Sequence, residues 1–187
     1  HTFVHNSLMV QGFMAKLLCD KDRLSTLISY KLGLHGPSLF VRTACSTALV
    51  GVHLACRALL TGECSIAVAG GVSISSHALP GYYHANDMIY SSDGHTKTFD
   101  AESDGTMFCN GAGAIVLKKL AHAERDKDHI YGIIKGSAIN NDGAEKIGYT
   151  APSVEGQHHC IKQAQKVSKV GIDSIKYVEA HGTATNL

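Results

Sequence analysis

The chain has 187 residues, 44% of them hydrophobic and 18% charged, with a formal net charge of +1 at pH 7. Those proportions exclude a disordered chain, and the length suits one domain with a sizeable core. Lys and Arg form no run beyond Lys118-Lys119, so no basic footprint for nucleic acid is present.

In chain order, Asp22 to Leu32 places apolar residues at 24, 27, 28 and 32, the stripe of an amphipathic helix, with Gly33 as its stop. His35-Gly36-Pro37 reads as a turn. Ser38 to Ala44 reads as a strand with Leu39, Val41 and Thr43 on one side. Ser46 to Leu60 is a helix closed by Gly62, and Ser65 to Ala69 a short buried strand before Gly70-Gly71. Ser76 to Gly105 is polar and turn-rich, either an active-site excursion or a long surface loop. Gly113 to Leu117 and Tyr131 to Ala138 read as strands, with a turn at Asn140-Asn141-Asp142-Gly143. Val154 to Val170 is a polar-faced helix, and Ile175 to Ala180 a last strand ending at His181. Strands separated by helices give a layered α/β fold.

The longest apolar stretch, Ala48 to Leu60, contains His53 and Arg57 and falls short of the roughly 18 residues that span a bilayer. The N-terminus lacks the cationic-then-apolar order of a signal peptide. Cysteines at 19, 45, 56, 64, 109 and 160 form no C-x-x-C pair. They read as free thiols in a reducing compartment, and cytoplasm is the expected location. No H-E-x-x-H occurs, and His158-His159 are adjacent, so on a helix they point about 100° apart and cannot share an ion. No metal is expected.

Cys45 follows a predicted strand and opens a predicted helix, in Val41-Arg42-Thr43-Ala44-Cys45-Ser46-Thr47. A thiol there meets the positive end of the helix dipole and unpaired backbone N–H groups, and both favour the thiolate. The setting is similar to the nucleophile elbow of serine hydrolases. A small cysteine filling space beside the helix is the other reading, and position alone leaves both open. The other five cysteines lack a strand-to-helix setting and read as packing residues. His181 closes a strand, where open α/β sheets place their sites, and imidazole can donate to an oxyanion or exchange a proton near neutral pH. It can equally cap the strand end. Thr183 and Thr185 offer hydroxyls to a polar ligand or to a turn. Gly111-Ala112-Gly113 leads into a strand and lacks a third glycine, so close packing explains it better than a dinucleotide.

Thr43-Ala44-Cys45-Ser46, Ala69-Gly70-Gly71-Val72, Thr98-Phe99-Asp100-Ala101, Asp104-Gly105, Gly111-Ala112-Gly113 and Glu179-Ala180-His181-Gly182-Thr183-Ala184-Thr185 follow one another in the order found in β-ketoacyl synthases. Gly136-Ser137-Ala138, Asn141-Asp142-Gly143 and Thr150-Ala151-Pro152 add to the match. The chain most resembles the ketosynthase domains of modular (type I) polyketide synthases. The resemblance implies the thiolase fold, with layered helices and a mixed sheet, here incomplete and mostly its N-terminal half. It implies a homodimer that takes acyl and malonyl thioesters from an acyl carrier protein, with phosphopantetheine carried by that partner and no cofactor of its own.

Carried onto matching positions, Cys45 is the acyl-bearing nucleophile and His181 the first of two catalytic histidines. Thr183 and Thr185 match threonines that hydrogen-bond the pantetheine arm. Arg42 and Asn110 stand where the family usually has acidic residues, and Ala184 stands for a frequent glycine. The second histidine, its lysine and a glycine-rich loop belong to the family's C-terminal half. Residues 1–187 therefore read as a partial ketosynthase domain truncated at both ends, and the chain alone is expected not to condense. A fatty-acid-type ketoacyl synthase, or another thiolase-fold acyltransferase, shares these residues. A non-catalytic condensing-like partner subunit commonly lacks the cysteine that is present here.

Overall fold

The computed structural model describes residues 2–74, 81–85 and 88–185, with the side chains of 2–7 and 18 excepted. Its residues fall into two units, His1–Gly70 with Ala114–His129, and Gly71–Gly113 with Ile130–Leu187. Helices α1 (Thr2–Cys19), α2 (Arg23–Leu32), α3 (Thr47–Thr61), α4 (Leu120–Asp126) and α5 (Val154–Ser168) accompany strands β1 (Ile66–Ser73) and β2 (Gly111–Lys118). The two strands pair in a two-stranded sheet, a mixed α/β arrangement.

Helices α2, α3 and α5 match the periodic segments of the sequence, and their ends follow local chemistry. Gly33 and Gly62 close α2 and α3 in the left-handed conformation, at φ 64° and 84°, as their lack of a Cβ permits. Helix α5 stops at Ser168, two residues short of the expected Val170, because Lys169 adopts the left-handed conformation at φ 54°. Ser153 caps its start by accepting from the Gly156 N–H at 3.0 Å, and Glu155 places a carboxylate in the first turn. Helices α1 and α4 were not expected. The former is apolar from Leu8 to Leu17 but for Gln11 and Lys16, so no amphipathic stripe marks it.

In β1 the small residues Ala67, Ala69 and Gly71 alternate with the exposed Ile66, Val68 and Val72. Among the described residues, the buried apolar side chains are Leu59, Ala69 and Ala123, all of the first unit. There Gly51 of α3 faces the Gly70 carbonyl, which would lie 3.9 Å from an added Cβ, so glycine allows the helix close to the strand.

Segments 38–44, 131–138 and 175–180 form no ladder, contrary to the strand expectation. A strand exists only where a neighbour supplies hydrogen bonds, and pattern alone cannot supply the neighbour. The stretch 136–140 is held instead by α5. Its Asn140 amide donates to the Gly156 carbonyl at 2.6 Å, and the Cys160 thiol donates to the Ala138 carbonyl at 3.4 Å. The expected turn is present, with the Gly143 N–H on the Asn141 side chain at 2.8 Å. The segment Ala44–Thr61, at mean hydropathy 1.4, is by length and composition apolar enough to cross a bilayer, longer than the sequence reading allowed.

Of the polar stretch 76–105, residues 76–80 and 86–87 lie outside the described residues. The remainder is cross-bonded. Tyr90 and Thr106 form an isolated parallel bridge, and Ser91, fully buried, donates to Asp93 at 2.9 Å. The Ser92 hydroxyl donates to Asp104, and Lys97 pairs with Asp93 at 2.8 Å. The Tyr90 ring stacks on Tyr82 and meets Phe108 edge-on. Gly105, at φ 154°, lies against the Tyr90 and Ser91 backbone where a Cβ has no room.

Ser153→Ala removes the α5 cap and should lower stability by about 1 kcal/mol, read as a lower denaturant midpoint at unchanged slope. The Lys97 ammonium, then the Ser91 hydroxyl and the His95 N–H, hold the Asp93 carboxyl well below the usual carboxylate range. A depressed value in the folded state means that the loop gains this support above roughly pH 4 and loses it as pH falls further. The exchange rate of the His95 amide, taken relative to the intrinsic rate at each pH, should therefore be low and level above that pH, and rise below it. Lys97→Met should bring the rise to higher pH.

Candidate active site

Cys45 lies in a single 3-10 turn, Ala44–Ser46, that feeds directly into α3. The turn is made by a residue that the sequence did not flag. Ala44 adopts the left-handed conformation at φ 52°, a state that costs an L-residue about 1–2 kcal/mol and persists only where its surroundings hold it. Hydroxyls on both sides of the cysteine do the holding. The Thr47 side chain accepts from the Thr43 N–H at 3.0 Å and donates to the Ala44 carbonyl at 2.7 Å. The Ser46 hydroxyl reaches back to the Thr43 carbonyl at 2.8 Å. Ser46 occupies the N-cap position of α3 without giving its side chain to the helix, so it leaves the first-turn N–H groups to other acceptors. The density of short hydroxyl side chains in Thr43-Ala44-Cys45-Ser46-Thr47 is the sequence signal for this lacing.

Cys45 itself is exposed. Exposure alone does not single it out, since Cys19 and Cys109 are also exposed rather than packed as expected. Setting does: among the described cysteines Cys45 alone stands where a helix begins. Cys56, half-buried inside α3, shows the opposite environment, where burial pushes the thiol up. Arg42 is exposed, so its guanidinium has the solvent route that an interior strand would have denied it.

His181, Thr183 and Thr185 belong to the second unit, Cys45 to the first. His181 is exposed and opens a turn in which Gly182 and Ala184 are both left-handed, at φ 55° and 57°. The Thr183 and Thr185 hydroxyls lie 3.0 Å apart, so the turn gathers them on one side. Ala184 takes a conformation that suits glycine better, which accounts physically for the glycine frequent at that place. One partner of this turn comes from far along the chain: the Thr98 hydroxyl donates to the Gly182 carbonyl at 2.6 Å. Sequence reasoning met Thr98 only as part of a motif. Among the described residues no cluster of His, Cys, Asp or Glu could hold a metal ion.

Comparison with known proteins places these motifs in a family. Residues 5–123 match the family described as beta-ketoacyl synthase, N-terminal domain, and residues 131–187 match its C-terminal domain. The longer match is to the N-terminal domain, as the reading of a mostly N-terminal half has it, and His181 lies in the residues that match the C-terminal domain. Over 176 residues it is 45% identical to polyketide synthase PksN of Bacillus subtilis, covering 94% of this chain and 3% of that protein. Against one component of the phenolphthiocerol/phthiocerol polyketide synthase of Mycobacterium tuberculosis it is 46% identical, covering 97% of this chain and 13% of that protein. The crystal structure of ketosynthase twelve from the bacillaene polyketide synthase of Bacillus amyloliquefaciens superposes with a TM-score of 0.91 at 42% identity. That match covers 95% of this chain and 32% of the other. The chain belongs to the β-ketoacyl synthase family, with a thiolase-like fold, as part of a ketosynthase domain of a modular polyketide synthase.

Proposed function

We propose that this chain supplies the acyl-carrying thiol and one catalytic histidine of an enzyme that extends polyketides by decarboxylative Claisen condensation. The Cys45 thiolate attacks an acyl thioester on the phosphopantetheine arm of an acyl carrier protein. A sulfur–acyl bond forms, and the arm's thiolate leaves and takes up a proton. A malonyl-type extender on such an arm then loses carbon dioxide, and the electron pair of the broken bond becomes an enolate. The enolate carbon attacks the Cys45 thioester, the carbon–carbon bond forms, and the Cys45 thiolate departs.

No strong base is needed, because loss of carbon dioxide generates the nucleophile. The task of the protein is to aim donors at developing oxyanions. The Cys45 backbone N–H serves the acyl oxygen, and the His181 imidazole serves the thioester oxygen of the extender. Thr183 and Thr185 hydrogen-bond the pantetheine arm. The enzyme works as a cytoplasmic homodimer with no cofactor or metal of its own. The apolar character of α3 then belongs to a helix enclosed by other layers of the domain.

The observation that supports this reading most is the exposed Cys45 thiol at the head of α3, in a turn locked by the hydroxyls beside it. The polyketide direction, rather than the fatty-acid one, rests on the relatives.

In the full ketosynthase domain, Cys45→Ala should abolish acyl loading, followed by intact-protein mass spectrometry, while the fold is kept. Iodoacetamide should modify Cys45 ahead of Cys19 and Cys109. Equal rates at all three would count against a nucleophile at 45. His181→Ala should load normally and lose condensation by about 10²–10³-fold, the size of an oxyanion donor. Ketoester formation by the 187-residue chain alone is not expected.

A further inference from the structure

We infer that Thr98 is the positioning residue that sets the turn bearing His181, an inference that rests on the role proposed above for that histidine. The contact joins residues 84 positions apart, with the Thr98 hydroxyl donating to the Gly182 carbonyl at 2.6 Å. The side chain is used on both its arms. Its methyl carbon occupies the space beside Gly182, where an added Cβ would come within 2.7 Å. Gly182 therefore has room for Thr98 only by being glycine, and its left-handed φ of 55° suits the same residue. A fixed carbonyl at 182 fixes the peptide plane between Gly182 and Thr183, one residue after His181, and with it the exit of the turn carrying Thr183 and Thr185.

The turn that carries Thr98 holds its neighbour Phe99 in a costly conformation. Residues 97–100 form a tight turn closed by the Asp100 N–H on the Lys97 carbonyl at 3.2 Å. Phe99 occupies its third position at φ 62°, where glycine or asparagine is the usual resident. A bulky side chain in that region is a true outlier, and strain of this kind survives only where neighbours over-determine it. Here they do so from both sides. On one side Lys97 pairs with Asp93 at 2.8 Å, and Thr96 accepts from the Met107 N–H at 2.9 Å. On the other, the Asp100 carboxylate accepts from the Glu102 N–H at 2.8 Å and the Asp100 carbonyl from the Ser103 N–H at 3.2 Å. The exposed Phe99 gains no burial from the arrangement. What the strained turn achieves is the delivery of one hydroxyl to one carbonyl.

The test uses the full ketosynthase domain, with acyl loading of Cys45 and condensation measured separately. Thr98→Val keeps the shape and removes the donor; Thr98→Ser keeps the donor and removes the methyl. Thr98→Val is expected to load as the parent does and to condense about tenfold more slowly in kcat, with Thr98→Ser within about threefold of the parent. Equal condensation by the Val variant and the parent would overturn the inference. So would equal loss of loading and condensation, the mark of a merely structural role. Should the Val variant fail to fold, a Ser variant that condenses tenfold more slowly at normal loading would overturn it as well, and near-parental condensation would support it. His181→Ala, run alongside, separates the two readings. If it condenses normally, the role of His181 fails; if it does not and Thr98→Val does, only the inference about Thr98 fails.

Discussion

A side chain at the start of a helix is reachable from solvent only where the chain bends sharply enough to present it. In this protein the bend is the left-handed Ala44, stabilised by hydroxyls at 43, 46 and 47 rather than by burial. Those side chains compete with helix formation elsewhere, but at a helix entrance their short reach becomes an asset. The exposed position of Cys45 and the free direction of the α3 N-terminus both follow from that one turn. Cys56, further along the same helix, is desolvated, and burial pushes its thiol up.

The second unit solves a related problem by different means. None of the buried apolar side chains among the described residues lies in its polar stretch from 88 to 107, which ion pairs, hydroxyls and one isolated bridge tie together. A loop so heavily bonded to itself can present a side chain as a strand would. Presented in this way, Thr98 meets the turn after His181. Loops built on internal hydrogen bonds are a common place for positioned functional groups.

Much apolar surface is uncovered. Leu49 and Leu60 of α3 and Val116 of β2 are at least 70% exposed, and Ile66, Val68 and Val72 of β1 about half exposed. Soluble monomers rarely show so much, and such surface marks interfaces. The chain spans 32% of a ketosynthase chain that it matches at a TM-score of 0.91, so the local elements keep the family's geometry while their apolar faces remain open.

Helix periodicity, the glycine stops and the cap at Ser153 were legible in the residues because each depends on neighbours within a few positions. The place of Cys45 between an extended segment and α3 was legible for the same reason. Ala44, Phe99 and Ala184 in left-handed conformations were not, since none is a glycine and local preference argues against all three. Whether 38–44, 131–138 and 175–180 pair as strands depends on partners distant in the chain, which periodicity cannot name. The contact of Thr98 with Gly182 is the extreme case. By itself the sequence determined helices α2, α3 and α5, the glycine stops of the first two, and the place of Cys45 at the entrance of α3. Only the tertiary structure decided which distant backbone a given hydroxyl would hold, because a contact across many residues is chosen by packing and not by local preference.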